Sequence, residues 1–176
     1  AAGLPRPWPI SEYAYLALAA SVAAHQAPGG PAEAAARQAG EELLRSQFAD
    51  GHFPAEHGES PSAPHLADLI YTENWAVLAL QHLHAWSGEA AYGRAAQRTL
   101  GFLAGIQDAS PDPRFSGCWR GLYDTQAKTW GGGDRYEGGA NSIYSGWTNA
   151  PIAWSFLINS GVGSLFAGRP SLECMR

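Results

Sequence analysis

Cysteine, lysine and methionine are nearly missing from this chain. Cys118 and Cys174 are the only cysteines, too few for a disulfide framework or a cysteine-built zinc site; one disulfide and two free thiols both remain open. Lys128 is the single lysine beside ten arginines, and the net charge is -5. Without a basic footprint, neither nucleic acid nor an anionic membrane surface is an expected partner. No apolar run reaches the roughly 18 to 20 residues that cross a bilayer, so no membrane span is expected. Met175 is the sole methionine, and the chain starts at Ala1 without a charged-then-apolar leader. Processing, or a piece of a longer protein, is the expectation.

What is present is an alternation of helix-like segments with short and very long links. Residues 10–26, 71–86 and 142–158 are apolar and nearly free of charge, which predicts helices buried on most sides. Residues 31–48 and 89–107 are amphipathic, with Arg37, Glu41, Glu42 and Arg45 on one and Arg94, Gln97 and Arg98 on the other. Ala27-Pro28-Gly29-Gly30 and Ser87-Gly88 are tight stop-and-restart signals, which predicts two αα-hairpins. The links over residues 49–70 and 108–141 far exceed the usual helix connection of about 2 to 8 residues. Their aromatic content argues for ordered, functional loops gathered on one rim.

The hairpins repeat. Ser11-Glu12 before an Ala/Leu run matches Thr72-Glu73 before Ala76-Val77-Leu78, and Leu43-Leu44-Arg45-Ser46-Gln47 matches Leu103-Ala104-Gly105-Ile106-Gln107. The offset is roughly 60 residues, beyond the usual helical-repeat period of about 34 to 47, and the long loop accounts for the excess. The segment from Tyr144 to Ile158 reads as the first helix of a third copy, its outer partner missing or reduced to the tail at 162–176. At 176 residues and 45% hydrophobic content, one domain over 1–176 is the economical reading.

Chemistry-bearing residues concentrate in Cys118-Trp119-Arg120, then in Trp130 and the glycine-rich run through Asp134, Arg135, Tyr136, Glu137 and Asn141, then at Tyr144 and Trp147. Glycine lets backbone approach a ligand, flat aromatic faces suit stacking on sugar rings, and carboxylates and Arg give directional hydrogen bonds. This pattern suits a saccharide better than a lipid. The competing reading is a long loop that packs its own rings over the end of the helices. Gly131-Gly132-Gly133 lacks the Lys-Ser/Thr and the G-x-G-x-x-G order of a phosphate loop, so no nucleotide or other cofactor is expected.

Gln47 and Asp50-Gly51-His52-Phe53 form a Q-x-x-D-G-x-F ending. It resembles the outer-helix endings of the six-hairpin glycosidase and polysaccharide lyase superfamily. The likeness covers residues 10–158, about two and a half hairpins where a complete toroid has six. It implies an all-α fold of αα-hairpins, an α/α toroid or part of one, with loops entering the inner helices lining a pocket. Glycoside hydrolysis is then the leading activity, polysaccharide lysis the alternative, and a non-catalytic sugar-binding or interaction module the third. An extracellular or periplasmic site is compatible with such a substrate. Prenyltransferase and terpene cyclase toroids share D-G-x-F endings, but the D-x-D-D run is absent here and only Cys118 offers a zinc thiolate.

Glycosyl transfer needs two carboxyl groups ~5 to 9.5 Å apart. Asp134 and Glu137 are the expected acid and base, or one of them opposes Glu56, Glu59 or Glu73; Asp134 beside Arg135 also fits a plain ion pair. Tyr136 would serve a lyase, alongside His52, His65, Asn74, Asn141, Tyr144 and Arg120 as proton-transfer or enediolate-stabilising groups. Trp119, Trp130 and Trp147 are expected stacking platforms, with Arg120, Asn74, Tyr144, Glu73 and His52 as substrate contacts. Glu73 equally fits a helix N-terminal acid capped by Thr72. His52, His57 and His65 near Glu56 and Glu59 match no tight metal pattern, and no metal site is expected. An incomplete ring exposes apolar sides of its terminal helices, so self-association or docking on a missing toroid portion is expected.

Overall fold

The computed structural model describes residues 8–57, 60–131 and 145–161. Five helices lie among them: α1 (Ile10–Gln26), α2 (Pro31–Ser46), α3 (Glu73–Ser87), α4 (Ala90–Gly105) and α5 (Gly146–Asn159). Their ends follow local chemistry. Pro31 opens α2 at a position whose N–H has no helical partner, and Gly88 closes α3 in the left-handed conformation, φ 72°. Ser145 caps α5 by accepting from Thr148 N.

The all-α expectation does not hold. The two long links each carry a strand pair, β1 (Pro54–His57) with β2 (Ser60–Asp68) and β3 (Leu122–Asp124) with β4 (Thr129–Trp130). β2 also pairs with β3, so the four form one antiparallel sheet in the order β1-β2-β3-β4. The fold is therefore mixed, helical hairpins with a small sheet at one end. The pairing is irregular: the β1–β2 register shifts twice within four residues. Such bulged, short strands leave no period-2 signature in the sequence.

α1, α3 and α5 run side by side and parallel. Tyr15 meets Trp75 and Trp75 meets Trp147 near their starts, and Gln81 Nε2 reaches Ser155 O further along. α2 and α4 pack outside them. Tyr13, Leu43, Phe53, Leu80, Leu83 and Tyr92 form the core of the first hairpin and its neighbour, while Val77, Leu103, Trp119 and Ile152 form the core beneath α5. Ala55, Leu66, Ile70 and Leu122 fill the space under the sheet.

The D-G-x-F ending has a structural task. Gly51 has φ +103°, and a Cβ there would stand 2.3 Å from Arg98 O, so only glycine fits. Its carbonyl accepts from Thr99 Oγ1 at 2.9 Å, and Gln47 Nε2 bridges to Ala95 O and Thr99 Oγ1. Phe53 is fully buried, and its N–H donates to Glu73 Oε1 at 2.5 Å. The unit ties the end of α2 to α4 and to the start of α3. A second unit sits one hairpin on. Gln107 Nε2 donates to Gly117 O at 3.0 Å, Gly117 has φ +83°, Trp119 is buried, and Trp119 N donates to Asn149 Oδ1 in the first turn of α5.

Candidate functional site

The starts of the three parallel helices place a row of aromatic rings beside the sheet. Tyr15 and Trp75 are edge to face, with ring centroids 5.7 Å apart, and Trp75 and Trp147 are tilted at 5.5 Å. Trp147 is 54% exposed, and Tyr71, in the turn that leads into α3, is 47% exposed. The row is therefore accessible at one end and continuous with the packed interior at the other. Trp75 Nε1 is buried and has no hydrogen-bond partner. A buried indole N–H normally finds an acceptor, so this donor is an unsatisfied group inside the packed end of the row.

The position of Trp147 follows from a proline. Pro151 lies inside α5 and has no N–H for the Trp147 carbonyl four residues earlier. Asn74 supplies the missing donor: its Nδ2 donates to Trp147 O at 3.2 Å and to Ile70 O at 2.9 Å. Asn74 is fully buried, so it positions Trp147 from α3 rather than facing a substrate.

Two acids stand at the entry to α3. Asp68 ends β2 and accepts from Ile70 N (2.8 Å), Tyr71 N (3.2 Å) and Thr72 Oγ1 (3.3 Å), which turns the chain into α3. Glu73 is fully buried; its Oε1 holds Phe53 N, and its Oε2 has no hydrogen-bond partner. Burial holds its carboxyl well above the ordinary glutamate value of 4.5. The Phe53 N–H pulls it down, and Asp68 and Asp50 push it up again. Glu73 is thereby kept toward its protonated form. The Tyr15 phenol is pushed up to about 12, by burial first and then by Asp68, Glu12 and Tyr71.

The other residues singled out in the sequence are placed as follows. His52 is buried between Asp50 Oδ1, 2.6 Å from its Nδ1, and Pro64 O, 2.9 Å from its Nε2, and it stacks on Phe48. It clamps the end of the first hairpin to β2. Trp119 is turned inward, donating from Nε1 to Leu103 O at 2.8 Å and stacking on Phe156; it is a core residue. Arg120 Nε pairs with Asp108 Oδ2 at 2.7 Å. Trp130 packs edge-on against Tyr123 in the sheet, 5.1 Å between centroids. Of the expected platforms, Trp147 alone joins the rim row. Asp134, Tyr136, Glu137, Asn141 and Tyr144, and the side chains of Glu56, His57 and Glu59, lie outside the described residues.

No family model, curated protein or solved structure matches this chain. The site therefore stands on its own geometry. Among the described residues no group of three or more His, Cys, Asp or Glu side chains could hold a metal ion, and no helix is long and apolar enough to cross a membrane. Tyr15, Trp75 and Asp68 were not singled out from the sequence. A signal for the first two was present: each of the three buried helices carries an aromatic ring in its first two turns. Asp68 gave none, because its role depends on where β2 ends.

Proposed function

We propose that this domain is carbohydrate-active and that a saccharide stacks along Tyr15, Trp75 and Trp147, with glycoside hydrolysis as the reaction. The observation that carries this reading is the aromatic row itself, exposed at Trp147. Sugar rings present apolar faces, and exposed flat aromatic rings stack on them. The likeness of Gln47 and Asp50-Gly51-His52-Phe53 to six-hairpin glycosidase endings supports the same class.

We take Asp134 and Glu137 as the catalytic carboxyl pair, with Tyr136 as an accessory proton carrier; Asp68 and Glu73 are engaged by protein donors. The test is release of reducing ends from an oligosaccharide panel, run with binding measured in parallel. Asp134→Asn with Glu137→Gln is expected to abolish turnover and keep affinity, and Trp147→Ala to weaken affinity. Full activity in the double variant removes the acid assignment, and unchanged affinity in Trp147→Ala removes the rim. Products with a new double bond would instead indicate a lyase.

One observation favours a second reading, an interaction module. Trp154 and Leu157 are exposed on α5, and Leu157 lines a groove of about 620 Å³ with Trp119 and Phe156. Sugar affinity without turnover, together with concentration-dependent self-association in sedimentation, would select it.

A further inference from the structure

A left-handed glycine follows each of the three inner helices: Gly29 after α1 at φ 80°, Gly88 after α3 at φ 72° and Gly161 after α5 at φ 77°. This conformation marks the point where a chain leaves a helix and turns. Beyond Gly29 the chain enters α2 at Pro31, and beyond Gly88 it enters α4 at Ala90. Each outer helix then covers an inner one. Leu43 of α2 shares a core with Tyr13 of α1, and Leu103 of α4 shares one with Val77 of α3.

Among the described residues the corresponding side of α5 is open. α5 buries Thr148, Ile152 and Ser155, while Trp154 and Leu157 stay 38% and 42% exposed. Ala153, Phe156 and Leu157 form one wall of the groove of about 620 Å³, and Ala104 and Trp119 stand across from them. Ser160 lines the same groove, so the chain reaches Gly161 at the groove's own edge. In the sequence that follows, Val162, Leu165 and Phe166 recur at the i, i+3, i+4 spacing of one apolar helical face, and Gly168 with Pro170 is a stop signal. At a helical rise of roughly 1.5 Å per residue the wall from Ala153 to Ser160 is about 10 Å long, and the run from Val162 to Gly168 matches it.

We propose that residues 162–168 turn back at Gly161 and seat Val162, Leu165 and Phe166 in this groove, completing a third, shorter hairpin on α5. The occupant is the chain's own continuation. It is joined to the groove edge through a single residue, so its effective concentration there is on the order of millimolar or more. A second copy would lose translational and rotational freedom to reach the same surface. Seated in this way, the segment withdraws the groove from self-association and so opposes the interaction-module reading. Trp147, at the other end of α5, stays exposed, and the proposal does not rest on the saccharide reading.

The test is hydrogen exchange of the whole chain read by mass spectrometry, with sedimentation at the same concentrations. In the wild type the amides of residues 162–168 are expected to exchange at least about tenfold more slowly than in an unstructured chain, with the protein a monomer. Leu157→Asp puts a charge on the groove wall at a position already exposed on α5. It should return those amides to the unprotected rate while α1 to α4 keep their protection. Phe166→Asp should do the same from the other side and raise binding of the apolar dye ANS. If Leu157→Asp fails to fold, Phe166→Asp carries the test. Unprotected amides over 162–168 in the wild type, or protection that survives the substitutions, overturns the proposal. Protection that appears only as the protein dimerises also overturns it, in favour of a second copy.

Discussion

Replacing Glu73 with glutamine separates a charge from a hydrogen bond at the start of α3. The carboxyl is wholly buried, accepts from Phe53 N through Oε1, and leaves Oε2 without a partner. Glutamine keeps the accepting oxygen and the volume, and it cannot ionise. Burial raises the Glu73 value in the folded protein above 4.5, so between 4.5 and the raised value the folded state holds a proton that the unfolded state has lost. The number of protons bound is then larger in the native state, and stability falls as pH rises through that window. Its contribution is complete below 4.5. The slope is about 1.4 kcal/mol per pH unit while the group remains protonated only in the folded state. The wild type should therefore lose ground to Glu73→Gln by about that much per unit from pH 5 upward, read as urea unfolding free energies at matched pH. The comparison cancels His82, whose value burial lowers to about 4. That group acts in the opposite sense, its contribution being lost as pH falls below 6.5 toward 4. Glu73→Ala provides the control. It leaves the Phe53 N–H buried without an acceptor, which costs about 1 to 3 kcal/mol at every pH. If the difference between wild type and Glu73→Gln is flat from pH 5 to 8, Glu73 is not held protonated, and the reasoning from burial fails.

Gly51→Ala should cost roughly 2 to 6 kcal/mol, the sum of a left-handed backbone strain and overpacking of about 1 to 3 each, because its Cβ would meet Arg98 O at 2.3 Å with φ at +103°. A thermal melt measures it, and a change under about 1 kcal/mol would contradict the fit of α2 against α4. Asn149→Ala removes the acceptor for Trp119 N and the donor to Trp119 O and Ser145 O, about 1.5 to 4.5 kcal/mol from three bonds at about 0.5 to 1.5 each. Its effect should be independent of pH, and Asn149→Asp should rescue little, since a carboxylate would face two carbonyl oxygens.

Much of the helical framework was legible because it depends on local signals. Apolar segments of the right length, Gly88 at a left-handed stop and Pro31 at a first turn are read from a few neighbouring residues. The sheet was not legible for the opposite reason. β3 and β4 have three and two residues, and β2 includes Pro61 and Pro64, so nothing in their composition announces strands. Their stability comes from pairing between links far apart in sequence, Leu66 with Asp124 and Asp68 with Leu122. The site divided in the same way. Trp147 was visible as an aromatic near the start of a buried segment. Trp119 was equally aromatic and equally glycine-flanked, yet the fold turns it inward onto Leu103 and Phe156. Composition reports that a ring is available; the direction it faces is decided by which backbone group its N–H can reach.

The two closing units explain why function could collect at this end. In each, a glutamine and a left-handed glycine end an outer helix, a buried ring follows, and the N–H of that ring residue is held by a side chain of the next inner helix: Phe53 by Glu73, Trp119 by Asn149. Whatever is inserted elsewhere in the link, this junction sets the lateral position of the inner helix that follows. The first link spends its extra residues between the closing ring and α3, whereas the second also has residues 108–116 between Gln107 and its glycine where the first has only 48–50. The helix starts nonetheless fall in register, with adjacent rim rings 5.7 and 5.5 Å apart. A constant junction thus frees the links to vary in length and chemistry while the aromatic row keeps its spacing. The first junction uses an ionisable acid and the second an amide, so a pH response of the framework should originate at the α3 side of the row and leave the Trp147 side unchanged.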